Sequence, residues 1–223
     1  MPAIRIVVAV LLLTSTLRAQ DMPLAQILIP GENWTKVDGV KHGKTLLFAT
    51  VNGVTYQIGD DRIALRITPQ GEVKPTTLQL PFKEPAVLTV SPDRGTMLIG
   101  VAGGKHVWLY RIREDGSLDA GEKYIELRVL PYIAKTLKER TPQEPGSGVT
   151  AIDFDKAGRI YVATAFGVQV FDPTGRLCGV LTSPEDAPVS MMSLVGDQLH
   201  IDCGKSHYQR KLNTTAATKP ASK

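Results

Sequence analysis

Apolar and polar residues alternate in runs of about five or six along most of this chain, and glycine- or proline-containing turns close the runs. Alternation of period two reads as half-buried β-strand, and the turns read as strand connections. Helical periodicity is almost absent after the first twenty residues. The clearest unit starts near Gly148. Val149–Phe154 is a first strand, Asp155-Lys-Ala-Gly158 a turn, Arg159–Thr164 a second strand and Gly167–Phe171 a third. Asp172-Pro-Thr-Gly175 is another turn, with proline pre-setting φ and glycine free to take positive φ, and Arg176–Leu181 is a fourth strand.

The same order recurs. Upstream, Ala86–Val90, Thr96–Gly100, Val107–Ile112 and Lys123–Val129 are separated by Ser91-Pro-Asp-Arg-Gly95 and Glu114-Asp-Gly116. A fainter copy holds Thr45–Thr50, Val54–Ile58, Ile63–Ile67 and Val73–Leu80. A last copy holds Ser190–Val195, Gln198–Asp202 and His207–Leu212. Paired turn glycines lie about 20 residues apart in each complete copy (Gly53 and Gly71, Gly95 and Gly116, Gly158 and Gly175), and a copy of about 40 residues has the size of a propeller blade. The expected fold is therefore all-β, a β-propeller of about four blades of four antiparallel strands over residues 20–212. The last copy lacks a fourth strand, while Ala25–Ile29 and Asn33–Val37 are spare. Either of them, added to the last blade, closes the ring and removes an exposed edge.

Some segments fall outside the repeat. Tyr132–Arg140 has helix propensity, and Thr141–Gly148 is rich in Pro and Gly, so this reads as a long loop with a helical turn. Residues 213–223 read as a disordered tail. Residues 1–19 read as a signal peptide: Arg5 is the positive region, Ile6–Leu13 the apolar stretch and Ala19 the small residue at the cleavage point. The apolar run is too short to span a bilayer. The mature protein is then expected to be secreted or periplasmic, with no membrane attachment after cleavage.

Composition narrows the function classes. The net charge of +4 lies partly at the two ends, and no basic stripe is interleaved with aromatics, so no nucleic-acid partner is expected. Cys178 and Cys203 are the two cysteines; both sit in strand-like runs and read as buried thiols, although an exported protein could pair them. No Cys/His cluster has zinc spacing, and there is no nucleophile elbow, phosphate loop or dinucleotide fingerprint. Asn33-Trp-Thr35 and Asn213-Thr-Thr215 are glycosylation sequons, which matter only in a eukaryotic secretory route.

With the repeats aligned, Asp155–Thr164, Gly167–Arg176, His207–Leu212 and the stretch Leu88–Leu118 resemble the SMP-30/gluconolactonase family. The resemblance implies a propeller and, in the family, hydrolysis of sugar lactones at one axial calcium or zinc ion. The family's ligands are a Glu, an Asn and an Asp at the starts of innermost strands, where oxygen donors suit a hard cation. Those places fall on Thr45-Leu46, Ala86-Val87 and Thr150-Ala151. A methyl group binds no metal and a threonine hydroxyl replaces a carboxylate poorly. No catalytic, metal or cofactor-binding residue is therefore assigned, and no cofactor is expected; a calcium or zinc ion follows only if the family's activity is retained.

Glu84 is placed where it could face the axis, with a solvated loop carboxylate as the plainer reading. His200 and Asp202 alternate onto one strand face as a surface pair. His42 and His106 lie at strand edges, and Asp153 and Asp155 do not form a carboxylate dyad. The expectation is a divergent, shortened pseudoenzyme that binds a small molecule or a protein at its ring face. The alternatives are a lactone or ester hydrolase with a rebuilt metal site, and a half-propeller that dimerises; monomer and dimer both remain open.

Overall fold

The computed structural model describes residues 22–38, 48–51, 54–58, 63–68, 70–81, 85–129 and 146–217. The expected signal peptide, the Tyr132–Arg140 loop, Thr45, His42 and Glu84 lie outside them. Among the described residues the helical content is one 3-10 turn, Leu24–Gln26, and no helix is long and apolar enough to cross a membrane.

Sixteen strands form four antiparallel sheets of four among the described residues. The first holds β2 (Phe48–Val51), β3 (Val54–Ile58), β4 (Ile63–Ile67) and β5 (Val73–Gln79). The second holds β6 (Pro85–Val90), β7 (Thr96–Val101), β8 (His106–Arg111) and β9 (Glu122–Glu126). The third holds β10 (Ala151–Phe154), β11 (Ile160–Thr164), β12 (Gly167–Phe171) and β13 (Leu177–Leu181). The fourth combines β14 (Val189–Val195), β15 (Gln198–Cys203) and β16 (Ser206–Lys211) with β1 (Thr35–Val37) from the other end of the chain.

The first strands of successive sheets touch, β2 with β6, β6 with β10 and β10 with β14. Neighbouring sheets stack face to face, so β10, β11 and β12 are buried on both sides. In β11, Tyr161 and Ala163 join Val189, Leu194, Leu199 and Ile201 of the fourth sheet, while Ile160 and Val162 join Val87, Leu98, Val107 and Ile125 of the second. The opposite face of the second sheet packs Leu88, Met97, Ile99 and Tyr110 with Tyr56 of β3.

The spare N-terminal segment is used twice. Ile27 is buried in the core between the third and fourth sheets, and Leu28 bridges Leu212. β1 then pairs with β16, Thr35 opposite Gln209 and Val37 opposite His207. Trp34 anchors this strand by donating its indole N–H to the Thr182 carbonyl at 2.9 Å, under the Arg210 guanidinium.

Of the expected tail, residues 218–223 lie outside the described residues. Residues 213–217 are ordered. The Asn213 N–H donates to Ile27 O, Lys156 N–H to Thr215 O, and Ala217 N–H to Phe154 O. A Thr- and Ala-rich segment has no apolar periodicity to announce this, because it is held by backbone hydrogen bonds and the Thr214 hydroxyl. The two cysteines form no disulfide, Cys203 being buried and Cys178 half-buried.

Tyr110 is fully buried, yet its hydroxyl has no hydrogen-bond partner among the described residues, and a Cβ on Gly121 would stand 2.2 Å from its ring. Burial pushes the phenol up to about 12. Tyr110→Phe removes a desolvated hydroxyl with nothing to satisfy it, so the thermal midpoint should stay level or rise. A raised acid contributes stability that is full below its unfolded value near 10 and lost as pH rises through its folded value. The Phe variant should therefore lose less stability than the parent between about pH 10 and 12 in urea titrations. A variant destabilised by more than about 1 kcal/mol would contradict the unpaired hydroxyl.

Candidate functional site

The antiparallel sheets give the molecule two ends. At one end the first strand of each sheet begins, and β11 turns into β12 through Ala165-Phe166. At the other lie the turns β6–β7, β10–β11 and β12–β13. The axial metal of the resembling family belongs at the first end.

At that end two described oxygen-bearing side chains are engaged in bonds between strands. The Thr150 hydroxyl donates to the Val189 carbonyl at 2.8 Å, so it ties β10 to β14. Ala86 has no donor atom. Asp153, buried on β10, accepts from the Leu194 N–H at 2.9 Å and from its neighbour Phe154 N–H at 3.0 Å, which joins the same two strands. No group of three or more His, Cys, Asp or Glu side chains suited to a metal occurs among the described residues.

The turn end is built by two copies of one motif. In Asp155-Lys-Ala-Gly158-Arg159 and Asp172-Pro-Thr-Gly175-Arg176, Oδ1 of each aspartate accepts backbone N–H groups two and four residues on. Each glycine takes positive φ, +81° and +83°, and each arginine returns to its aspartate at 3.2 and 3.1 Å. Asp155 has a structural role: Oδ2 also accepts from Tyr161 and Thr214.

Beside these turns a cleft of about 570 Å³ opens between the second and third sheets. Leu98, Leu109, Tyr124, Phe154 and Ile160 form its apolar wall, and Ala217 of the tail lies against it. Ser91, Asp93 and Lys156 are polar members of the lining. The Ser91 hydroxyl and then the Gly95 N–H hold Asp93 below the ordinary carboxylate range, so it is an anion at neutral pH. A neighbouring apolar surface and fixed anion suit a small ligand with an apolar body and a cationic or hydrogen-bond-donating group.

His200 and Asp202 share a face as the alternation implies, but they are linked through a third residue. His207 Nδ1 lies 2.7 Å from Asp202 Oδ1, and His207 Nε2 lies 3.2 Å from His200 Nδ1. Asp202 and His207 are buried and His200 is half-buried. Burial, and then the neighbouring His207, hold His200 below the usual histidine range. The sequence reading omitted His207. The signal for it was the two-residue connection Gly204-Lys205, which sets Asp202 opposite His207 in an antiparallel hairpin. His106 begins β8 and is half-buried.

In fold the chain resembles solved structures of the gluconolactonase and regucalcin (SMP-30) family, which are β-propellers. A gluconolactonase from Xanthomonas campestris matches with a TM-score of 0.57 at 17% identity, over 79% of this chain and 61% of that one. Regucalcin from Agrobacterium tumefaciens, a calcium-binding protein, matches with a TM-score of 0.57 at 12% identity, over 81% and 63%. A third match, to a gluconolactonase-like structure, has a TM-score of 0.55 at 18% identity over 70% of this chain and 48% of its own. The chain thus spans about half to just under two thirds of the length of these structures. No family model matches the sequence. No curated protein matches it.

Proposed function

We propose that this chain is an exported four-bladed propeller that lacks the axial metal site of the gluconolactonase-like fold and serves as a binding module. The ligand sits in the cleft between the second and third sheets. The observation that carries the reading is Thr150, a neutral hydroxyl held on the Val189 carbonyl where the family needs a carboxylate. Ala86 supports it from the neighbouring sheet.

Closure of the ring is supported by the chain path. From the last strand of each sheet the chain passes to the first strand of the next, as in β5 to β6, β9 to β10 and β13 to β14. The pairing of β1 with β16 makes β1 the last strand of the fourth sheet, and from there the chain passes to β2. Export rests on the Arg5, Ile6–Leu13 and Ala19 pattern.

The test has three arms. Millimolar calcium is expected to leave the thermal midpoint unchanged, and glucono-lactone to hydrolyse at the rate of buffer alone; saturable calcium binding with turnover would instead favour a lactone hydrolase. Tryptamine, an aromatic cation, is expected to shift amide resonances of Leu98, Phe154 and Ile160 saturably, and no shift there would sink the cleft as the site. Light scattering is expected to give a monomer, whereas a dimer would favour a partial propeller whose edges pair.

A further inference from the structure

We propose that His200 and His207 form a binding site for a borderline divalent transition cation, zinc or copper, with Asp202 as the group that orients His207. This site lies on the second and third strands of the fourth sheet, not on the first strands where Thr150 and Ala86 stand. It is carried by residues of β15 and β16 and does not depend on the binding-module reading.

Three features of the geometry converge. His207 Nδ1 lies 2.7 Å from Asp202 Oδ1, and in a neutral ring that donates there Nε2 is the lone pair. A carboxylate holding the far nitrogen of an imidazole is the arrangement that orients histidine ligands in zinc sites and raises their basicity. That lone pair faces His200 Nδ1 at 3.2 Å. Two nitrogens each about 2.0–2.1 Å from a tetrahedral ion stand about 3.3 Å apart, so the pair is already at ligand separation. In the absence of an ion the same separation holds one hydrogen bond, donated by His200 Nδ1–H. Metal binding needs His200 to carry its proton on Nε2 instead, and both rings to tilt so that their lone pairs converge beside the line between the two nitrogens.

The surroundings agree. Asp202 and His207 are buried, so the inner half of the site is preorganised, while half-buried His200 leaves a path from solvent. Ser193 of β14 and Gln209 of β16 stand opposite His200 in register and share its face, so hydroxyl and amide oxygens are at hand beside water for the remaining positions. Imidazole nitrogen favours zinc or copper over calcium, which takes oxygen ligands.

The experiment titrates zinc chloride into the untagged full chain, followed by calorimetry and thermal shift at pH 7.5. One equivalent is expected to bind saturably, with a higher midpoint, and calcium is expected to have no such effect. His200→Gln, at a half-buried position, should keep the metal-free midpoint and weaken zinc at least tenfold. Asp202→Asn should weaken it by about 10–100-fold. At pH 5.5, where imidazole protonation competes, binding should fall by about tenfold or more. On the unaltered protein, zinc should shift the nitrogen resonances of both His200 Nδ1 and His207 Nε2, which keeps the proposal testable even if a variant misfolds. Absence of saturable binding, undiminished binding in His200→Gln, or unshifted imidazole nitrogens would each overturn it.

Discussion

Replacing Asp155 with alanine is expected to destabilise the protein by about 3–5 kcal/mol in urea denaturation, a third or more of a typical domain's stability. The Asp155 side chain is 0% exposed and Arg159 only 7%. Oδ1 accepts the Ala157 and Arg159 N–H groups, and Oδ2 accepts from Arg159, Tyr161 and Thr214. Alanine leaves the Arg159 guanidinium buried with Gln26 Oε1 as its remaining side-chain partner, and its Nε is already unpaired. An uncompensated buried charge costs more than the pair contributes. The double variant Asp155→Ala/Arg159→Met should therefore recover part of the loss, and a double variant no more stable than the single one would refute this account. Asp155→Ala should also free the tail, which is read by faster proteolysis after residue 213.

Gly167→Ala is expected to cost about 3 kcal/mol or more, because two effects add at one residue. Gly167 begins β12 with φ at +110°, where a side chain is strained. A Cβ there would stand 2.4 Å from the Leu181 carbonyl and 3.1 Å from the Thr182 Cα. Those are backbone atoms of the paired strand β13 and its exit, and they cannot swing aside as a side chain would. Gly196→Ala shares the positive φ, +60°, but has open space around the new Cβ, so it should cost only the conformational part. A Gly167 variant no less stable than the Gly196 variant would show that the close approach to β13 carries no weight.

Much of the fold was legible along the chain. The strands of the third sheet fall where alternation puts them, within about two residues, because period-two patterning and Asp-x-x-Gly turns are local signals. Gly167–Phe171 is reproduced without change. The spare strand was legible from the count, since a sheet short of one strand needs an edge partner, and Thr35–Val37 supplies it. The site was less legible. His207 was missed because its partners come from hairpin register rather than from alternation within one strand. The ordered tail was missed because backbone amides, which every sequence carries, hold much of it.

The two Asp-x-x-Gly-Arg turns mark the boundary between local and tertiary information. Sequence alone determined that both segments turn, that Gly175 is free to take positive φ, and that an arginine follows four residues after each acid. Only the tertiary structure decided that the Asp155–Arg159 pair is enclosed, Asp155 by Tyr161 and the tail and Arg159 by Gln26, while Arg176 stays 59% exposed in solvent. The physical reason is that turn geometry is set by residues adjacent in the chain. Burial is set by what the rest of the fold brings against them, and it is burial that turns one of two like ion pairs into a stability determinant.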